Sequence, residues 1–351
     1  MARRIEPADL RHDGNSFTLL RWLLASAVMI SHAWDLTMPA RGLDPTVPVL
    51  GFAISRLAVF LFFTLSGFLV TGSLYKRGVP AFALARGLRL LPGLWVMLLV
   101  VPLALWALFG TIPFAEFVTS PETHRFFWRN ALVLGRDYSL PGLFDDHRLP
   151  GIVNGSLWTI PKEVFCYILL ALASLLGLIQ PRARVTAVLL VLMLVHLALP
   201  PALRVPGLPP IENLRDLAFA FALGVLAWVW RDRLPLSWPL ALLLSAIALA
   251  IPADAWAKVA AAQIGYGYLA LVAAFCMPAA VKALSARLPD YSYGIYIYGF
   301  PAQQVAVALG ADMPLANLGL AFAITLPAAA LSWHLVEKPA LQLKPGRRAT
   351  A

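Results

Sequence analysis

The chain has 351 residues, of which 60% are apolar and only 13% charged, and its formal net charge is +10. A soluble domain is about one-quarter charged, so this chain lacks the charge to cover a water-facing surface, and a soluble globular enzyme is excluded. The two cysteines, Cys166 and Cys276, lie in apolar runs and offer neither a disulfide framework nor a metal spacing.

A polar leader, residues 1–18, opens the chain. It contains Glu6, Asp9 and Asp13 and has no small-residue cleavage site, which argues against a signal peptide. A spanning helix needs about 20 mostly apolar residues. Ten stretches meet or approach that length, at 19–38, 51–72, 90–109, 158–179, 185–200, 214–230, 236–252, 262–281, 291–309 and 315–336. The expected fold is therefore all-α, a polytopic membrane protein of about ten transmembrane helices. One membrane domain is expected over 19–338, followed by a tail over 339–351.

Charge sets the expected orientation. With the N-terminus inside, the cytoplasmic segments hold 17 of the 28 basic residues, and each such segment carries at least two. They include Arg3, Arg4 and Arg11; Lys76, Arg77, Arg86 and Arg89; Arg182 and Arg184; Arg231 and Arg233; Lys282 and Arg287; and the C-terminal Lys338, Lys344, Arg347 and Arg348. This positive-inside pattern places both termini in the cytoplasm. The net charge is then a topology signal, with membrane lipid or an anionic cofactor as partner and no nucleic acid. The longest outer loop, about 110–157, is the natural place to meet a polar external substrate.

Several polar side chains stand where lipid makes them costly. Arg21 and His32 lie on the first span, eleven residues or about 16 Å apart, close to three full turns and so on one face. Asp35 follows His32 at i+3, within reach of the imidazole. A histidine with a carboxylate partner suits general-base work; a histidine bonded to a neighbouring helix is the equal alternative. On the second span, Ser66-Gly67 reads as close helix packing, with a serine nucleophile as the lesser reading. Arg86 and Arg89 fall in the following loop, before Leu91-Pro92 opens the third span. They suit either a phosphorylated ligand or plain anchoring. Glu163 lies a turn inside the fourth span, next to Lys162, which can reach outward. His12, His124, His147, His196 and His334 read as structural or solvated.

In order, the stretches Arg21-x10-His32, Phe62-Phe63-Thr64-Leu65-Ser66-Gly67-Phe68, Arg86-Gly87-Leu88-Arg89-Leu90-Leu91-Pro92, Ser156 through Glu163, Ser292-Tyr293-Gly294-Ile295-Tyr296 and Glu337-Lys338-Pro339 resemble the acyltransferase 3 family of ten-helix bacterial membrane enzymes. The resemblance implies acyl transfer, most often acetyl from acetyl-CoA, to the hydroxyl of a cell-surface or lipid-linked carbohydrate, at the bacterial inner membrane. It implies His32 as the catalytic residue and favours Glu163 as a further site residue; Asp35 is a catalytic candidate through its i+3 spacing to His32. Arg21, Arg86 and Arg89 would handle the donor. Many family members carry a histidine shortly after the Ser-Tyr-x-x-Tyr stretch, where this chain has Gly299. The competing class is a glycan or lipid transporter; the paired half-repeats common in transporters are not visible.

Overall fold

The computed structural model describes residues 3–39, 43–135, 137–198 and 211–344. The expected tail beyond Lys344, with Arg347 and Arg348, lies outside the described residues, as do the last two residues of the fifth expected stretch.

The regular secondary structure of the described residues is helical apart from two isolated β-bridges, Arg3 with Leu236 and Ser139 with Ile152. The main helices are α1 (Phe17–Thr37), α2 (Ile54–Arg77), α3 (Val79–Phe109), α4 (Phe114–Thr119), α5 (Pro121–Ala131), α6 (Ile160–Leu175) and α7 (Arg182–Ala198). They continue with α8 (Ile211–Val229), α9 (Trp238–Ala250), α10 (Lys258–Cys276), α11 (Ala279–Arg287), α12 (Ser292–Ala308), α13 (Pro314–Ser332) and α14 (Lys338–Gln342). Each of the ten apolar stretches falls on a helix. Among the described residues, six helical segments are long and apolar enough to cross a membrane: Phe17–Thr37, Ile54–Arg77, Val79–Phe109, Gly155–Leu175, Lys258–Cys276 and Pro314–Gln342.

The third stretch departs most from expectation. Arg86 and Arg89 are not in a loop. They belong to α3, which begins at Val79 and runs through Pro92 and Pro102 without a break. Pro92 does not start the helix because prolines are tolerated inside membrane helices when neighbouring groups satisfy the freed backbone. Close to that proline, the Tyr293 hydroxyl donates to the Leu90 carbonyl at 2.8 Å.

The chain divides into two compact units, one of Met1–Leu24, Pro45–Phe82 and Cys166–Pro289, the other of Ala25–Asp44, Ala83–Phe165 and Asp290–Ala351. In the first unit α2 and α8 meet backbone to backbone. A Cβ on Gly67 would stand 2.2 Å from the Phe221 carbonyl oxygen, and one on Gly224 only 2.0 Å from that of Thr64. Only glycine permits this approach, the small-residue packing expected at Ser66-Gly67. Around it, Phe68 contacts Phe17, Trp228 and Phe275, with ring centroids 5.2–5.9 Å apart. The end of α9 is closed by Lys258, 3% exposed, whose Nζ donates to the carbonyls of Ala248, Leu249 and Ile251 at 2.9, 3.1 and 2.9 Å.

The second unit is packed differently. Gly294 on α12 fits against Ala329 on α13, where a Cβ would meet the Ala329 Cα at 2.8 Å. Four fully buried amides then tie segments together through backbone carbonyls: Asn154, Gln303, Gln304 and Asn317. Gln303 donates to Met29 at 2.8 Å, Asn154 to Ile297 at 2.8 Å and Asn317 to Gln303 at 3.0 Å. Gln304 donates through its amide nitrogen to Ile152, and its amide oxygen accepts from His147 Nδ1 at 2.8 Å.

Candidate active site

His32 sits near the end of α1, where Met29, Ala33 and Leu36 are buried. The ring is half-buried. Its Nδ1 is enclosed and makes no hydrogen bond among the described residues. The imidazole meets Phe300 of α12 edge-on, centroids 5.1 Å apart at 76°. Phe300 is itself backed by Gly155, where a Cβ would come within 2.9 Å of the phenyl ring. Gly299 lies against Met29, with 3.0 Å from an added Cβ to the Met29 side chain.

The other five histidines differ. His12 pairs with the Ala286 carbonyl at 3.1 Å, His124 with that of Val118 at 2.8 Å, and His334 with the Tyr291 hydroxyl at 2.9 Å. His147 holds Gln304, and His196 stands 4.0 Å from Asp216 while stacking on Phe219. Four of these are hydrogen-bonded through a ring nitrogen, while the Nδ1 of His196 is buried without a hydrogen-bond partner among the described residues.

Asp35 lies one turn beyond His32 and is half-buried. Among the described residues no hydrogen bond joins the two. At about 100° per residue, a step of three leaves their side chains roughly 60° apart around the axis, and the imidazole is turned to Phe300. Beside His32, Ser31 donates to the buried carboxylate of Asp44.

Glu163 is placed by a different device. The Asn154 side chain caps a 3-10 turn, Gly155–Thr159, by accepting from the Ser156 amide at 3.2 Å. The turn feeds α6, and Glu163 falls in its first turn. Thr159 shares a 2.7 Å hydrogen bond with the Tyr296 hydroxyl, fixing α6 to α12. Glu163 is half-buried and within electrostatic reach of the Tyr293 and Tyr296 phenols. Lys162 turns away, its Nζ donating to the Trp158 carbonyl at 2.8 Å and lying 4.5 Å from that ring's centroid.

Of the two α3 arginines, Arg86 is half-buried and Arg89 buried. Arg89 pairs with Asp290 at 2.9 Å and Glu337 at 3.4 Å. These two carboxylates had been given no role by the sequence; Glu337, 1% exposed, carried the only signal, a carboxylate closing an apolar span. His32, Asp35, Arg86, Arg89 and Glu163 thus all belong to the second unit. Arg21, half-buried on the first turns of α1, belongs to the first.

The acyltransferase domain of the acyltransferase 3 family matches residues 15–336. Nodulation protein 10 of Rhizobium leguminosarum bv. viciae is 28% identical over 375 aligned positions, covering 94% of both chains. An O-acetyl transferase of Shigella phage Sf6 is 25% identical over 345 positions, covering 93% of this chain and 96% of its own. No solved structure matches. A match over nearly the whole length decides between enzyme and transporter: this chain belongs to the acyltransferase 3 family and is an O-acyltransferase.

Proposed function

We propose that the protein moves an acetyl group from acetyl-CoA to a hydroxyl of an extracytoplasmic or lipid-linked glycan, with His32 as general base. In this reading ten helices span the bacterial inner membrane and both termini face the cytoplasm, as the basic residues suggest. The observation that carries it is the state of His32. Its ring has neither a hydrogen bond nor an ion pair among the described residues, whereas four of the other histidines are hydrogen-bonded and His196 has a carboxylate 4.0 Å away.

The chemistry needs little else. The acceptor hydroxyl gives its proton to the imidazole as its oxygen attacks the thioester carbonyl. The carbon–sulfur bond then breaks, and the imidazolium returns the proton to the leaving CoA thiolate, regenerating the base. The edge of Phe300 holds the ring's plane. Asp35 and Glu163 supply negative charge that favours the imidazolium as it forms. The arginines serve the donor, Arg86 and Arg89 on α3 and Arg21 on α1, because guanidinium–phosphate contacts are charge-assisted.

Transfer of an acetyl group to an oxygen is supported by the phage relative, an O-acetyl transferase. The test is CoA release and acetyl transfer by the purified protein, given acetyl-CoA and a panel of bacterial surface glycans. Transfer is expected for the unsubstituted protein. His32→Gln keeps polarity and loses basicity, and is expected to lower turnover by about 10²–10⁴-fold with donor binding retained. Turnover should rise with pH as the imidazole becomes neutral. A folded His32→Gln protein working near the normal rate would overturn the mechanism.

A further inference from the structure

Two stretches have no part in that reaction: Asp290 through Tyr296, leading into α12, and Glu337, at the end of a π-helical turn, Trp333–Glu337. Both converge on Arg89. Its Nη2 is 2.9 Å from Asp290 Oδ2 and its Nη1 is 3.4 Å from Glu337 Oε2. Its guanidinium carbon stands 5.7 Å from the Tyr293 ring centroid and 5.8 Å from that of Trp333, at cation–π range for both.

The partners are themselves fixed. Ser332 donates to Glu337 Oε1 at 3.0 Å, and Ser292 to Asp290 Oδ1 at 2.7 Å. Tyr293 donates to the Leu90 carbonyl, the residue after Arg89. Gly93 leaves room for the assembly, since a Cβ there would lie 3.1 Å from the Tyr293 ring and 3.3 Å from the Glu337 side chain. The π-helical turn takes an extra residue into its ring, and it ends with Glu337 buried while Leu335 is 70% exposed.

One guanidinium facing two carboxylates is already more than neutralised. A phosphate reaching Arg89 would have to displace a buried carboxylate and approach a second. Arg86 is three residues earlier on α3 and shares the face of Arg89. Any rotation of this turn therefore moves Arg86.

We infer that Arg89 is a positioning residue: clasped by Asp290 and Glu337, it fixes the α3 turn that presents Arg86 to the donor's phosphates, and Arg86 makes that contact. This rests on the acyl-CoA reading above and divides the roles within the arginine pair. It also gives a function to the Asp290–Tyr296 and Glu337 stretches, as the jaws of the clasp.

The experiment is acetyl-CoA binding to the full-length protein in lipid nanodiscs across a salt series, with turnover measured alongside. Arg86→Gln should weaken binding and flatten its salt dependence, because a phosphate contact is lost. Arg89→Gln and Glu337→Gln should each weaken binding, up to about 100-fold for a displaced binding group, and keep the salt dependence. Combined, they should be no worse than either alone, since both break one clasp. Exchange of the charges, Arg89→Glu with Glu337→Arg, should recover affinity that either half of the exchange loses. Arg89→Lys, the variant that best preserves folding, keeps the charge but loses the fork and should still weaken binding. Arg89→Gln flattening the salt dependence as far as Arg86→Gln, or a folded Glu337→Gln protein binding normally, would overturn the inference alone. Failure of the unsubstituted protein to bind acetyl-CoA would overturn the donor reading and the inference with it.

Discussion

The two units of the chain join their central helices by different contacts. In the first, α2 and α8 are pressed together through Gly67 and Gly224, and the surroundings are aromatic. In the second, α12 is tied to its neighbours by buried amides, paired hydroxyls and an ion cluster. Glycine contacts leave no polar group to satisfy, so they make a frame that tolerates little change in shape. Buried polar contacts are costly when half-made and specify one arrangement when complete. The unit in which α12 is held by these polar ties also contains five of the six candidate site residues. Arg21 apart, substitutions in the first unit should act through folding, and many in the second through rate.

The sharpest test of that division is His32→Gln, where a loss of about 10²–10⁴-fold in turnover is expected with the melting temperature nearly unchanged. Next in size is Gly224→Ala. The added methyl meets backbone, which has no rotamer to escape into, and about 1–3 kcal/mol of stability should be lost. Reduced folded yield and a lower melting temperature would record it, while the kcat of the surviving protein stays near normal. A Gly224→Ala protein with full stability and impaired kcat would break the comparison.

Asn154→Ala lies between these classes. It removes the cap on the 3-10 turn and leaves the Ile297 carbonyl without its donor, at a cost of about 1–3 kcal/mol. Because that turn leads to Glu163, kcat should fall by more than the loss of folded protein explains. Stability and single-turnover rate measured on the same preparation separate the two effects.

The smallest effect is expected at the surface of the first unit, where Arg182 pairs with Asp232 at 2.9 Å. The Arg182 hydrogen bond holds the Asp232 carboxyl below its ordinary range. The folded form thus binds its proton less readily than the unfolded one. The pair's contribution is present above the ordinary carboxylate range and is lost as pH falls through the lowered value. An exposed pair contributes about 0–1 kcal/mol, so Asp232→Asn should change thermal stability slightly at neutral pH and not at all in acid.

The helices were legible in the sequence because a long, nearly uncharged apolar run can satisfy its backbone in lipid only by coiling on itself. The limit showed at Pro92, a residue that ends most soluble helices but lies inside α3, so that Arg86 and Arg89 read as loop residues. His32 was legible as a costly polar group on an apolar span. Its neighbour across the helix interface, Phe300, was not, because one phenylalanine in an apolar span carries no signal of what it touches. The ion cluster was hidden for a different reason. Arg89 and Glu337 are separated by 248 residues, and each alone resembles an ordinary charge at a helix end.

The closure of α9 by Lys258 makes a built-in probe of motion. Amine reagents attack the free, unprotonated amine, and this ammonium is spent on three carbonyls beneath the surface. It can react only when that helix end comes undone. The extent of its labelling over time, set against an exposed lysine such as Lys76, therefore reads out how often the end of α9 opens in the working enzyme.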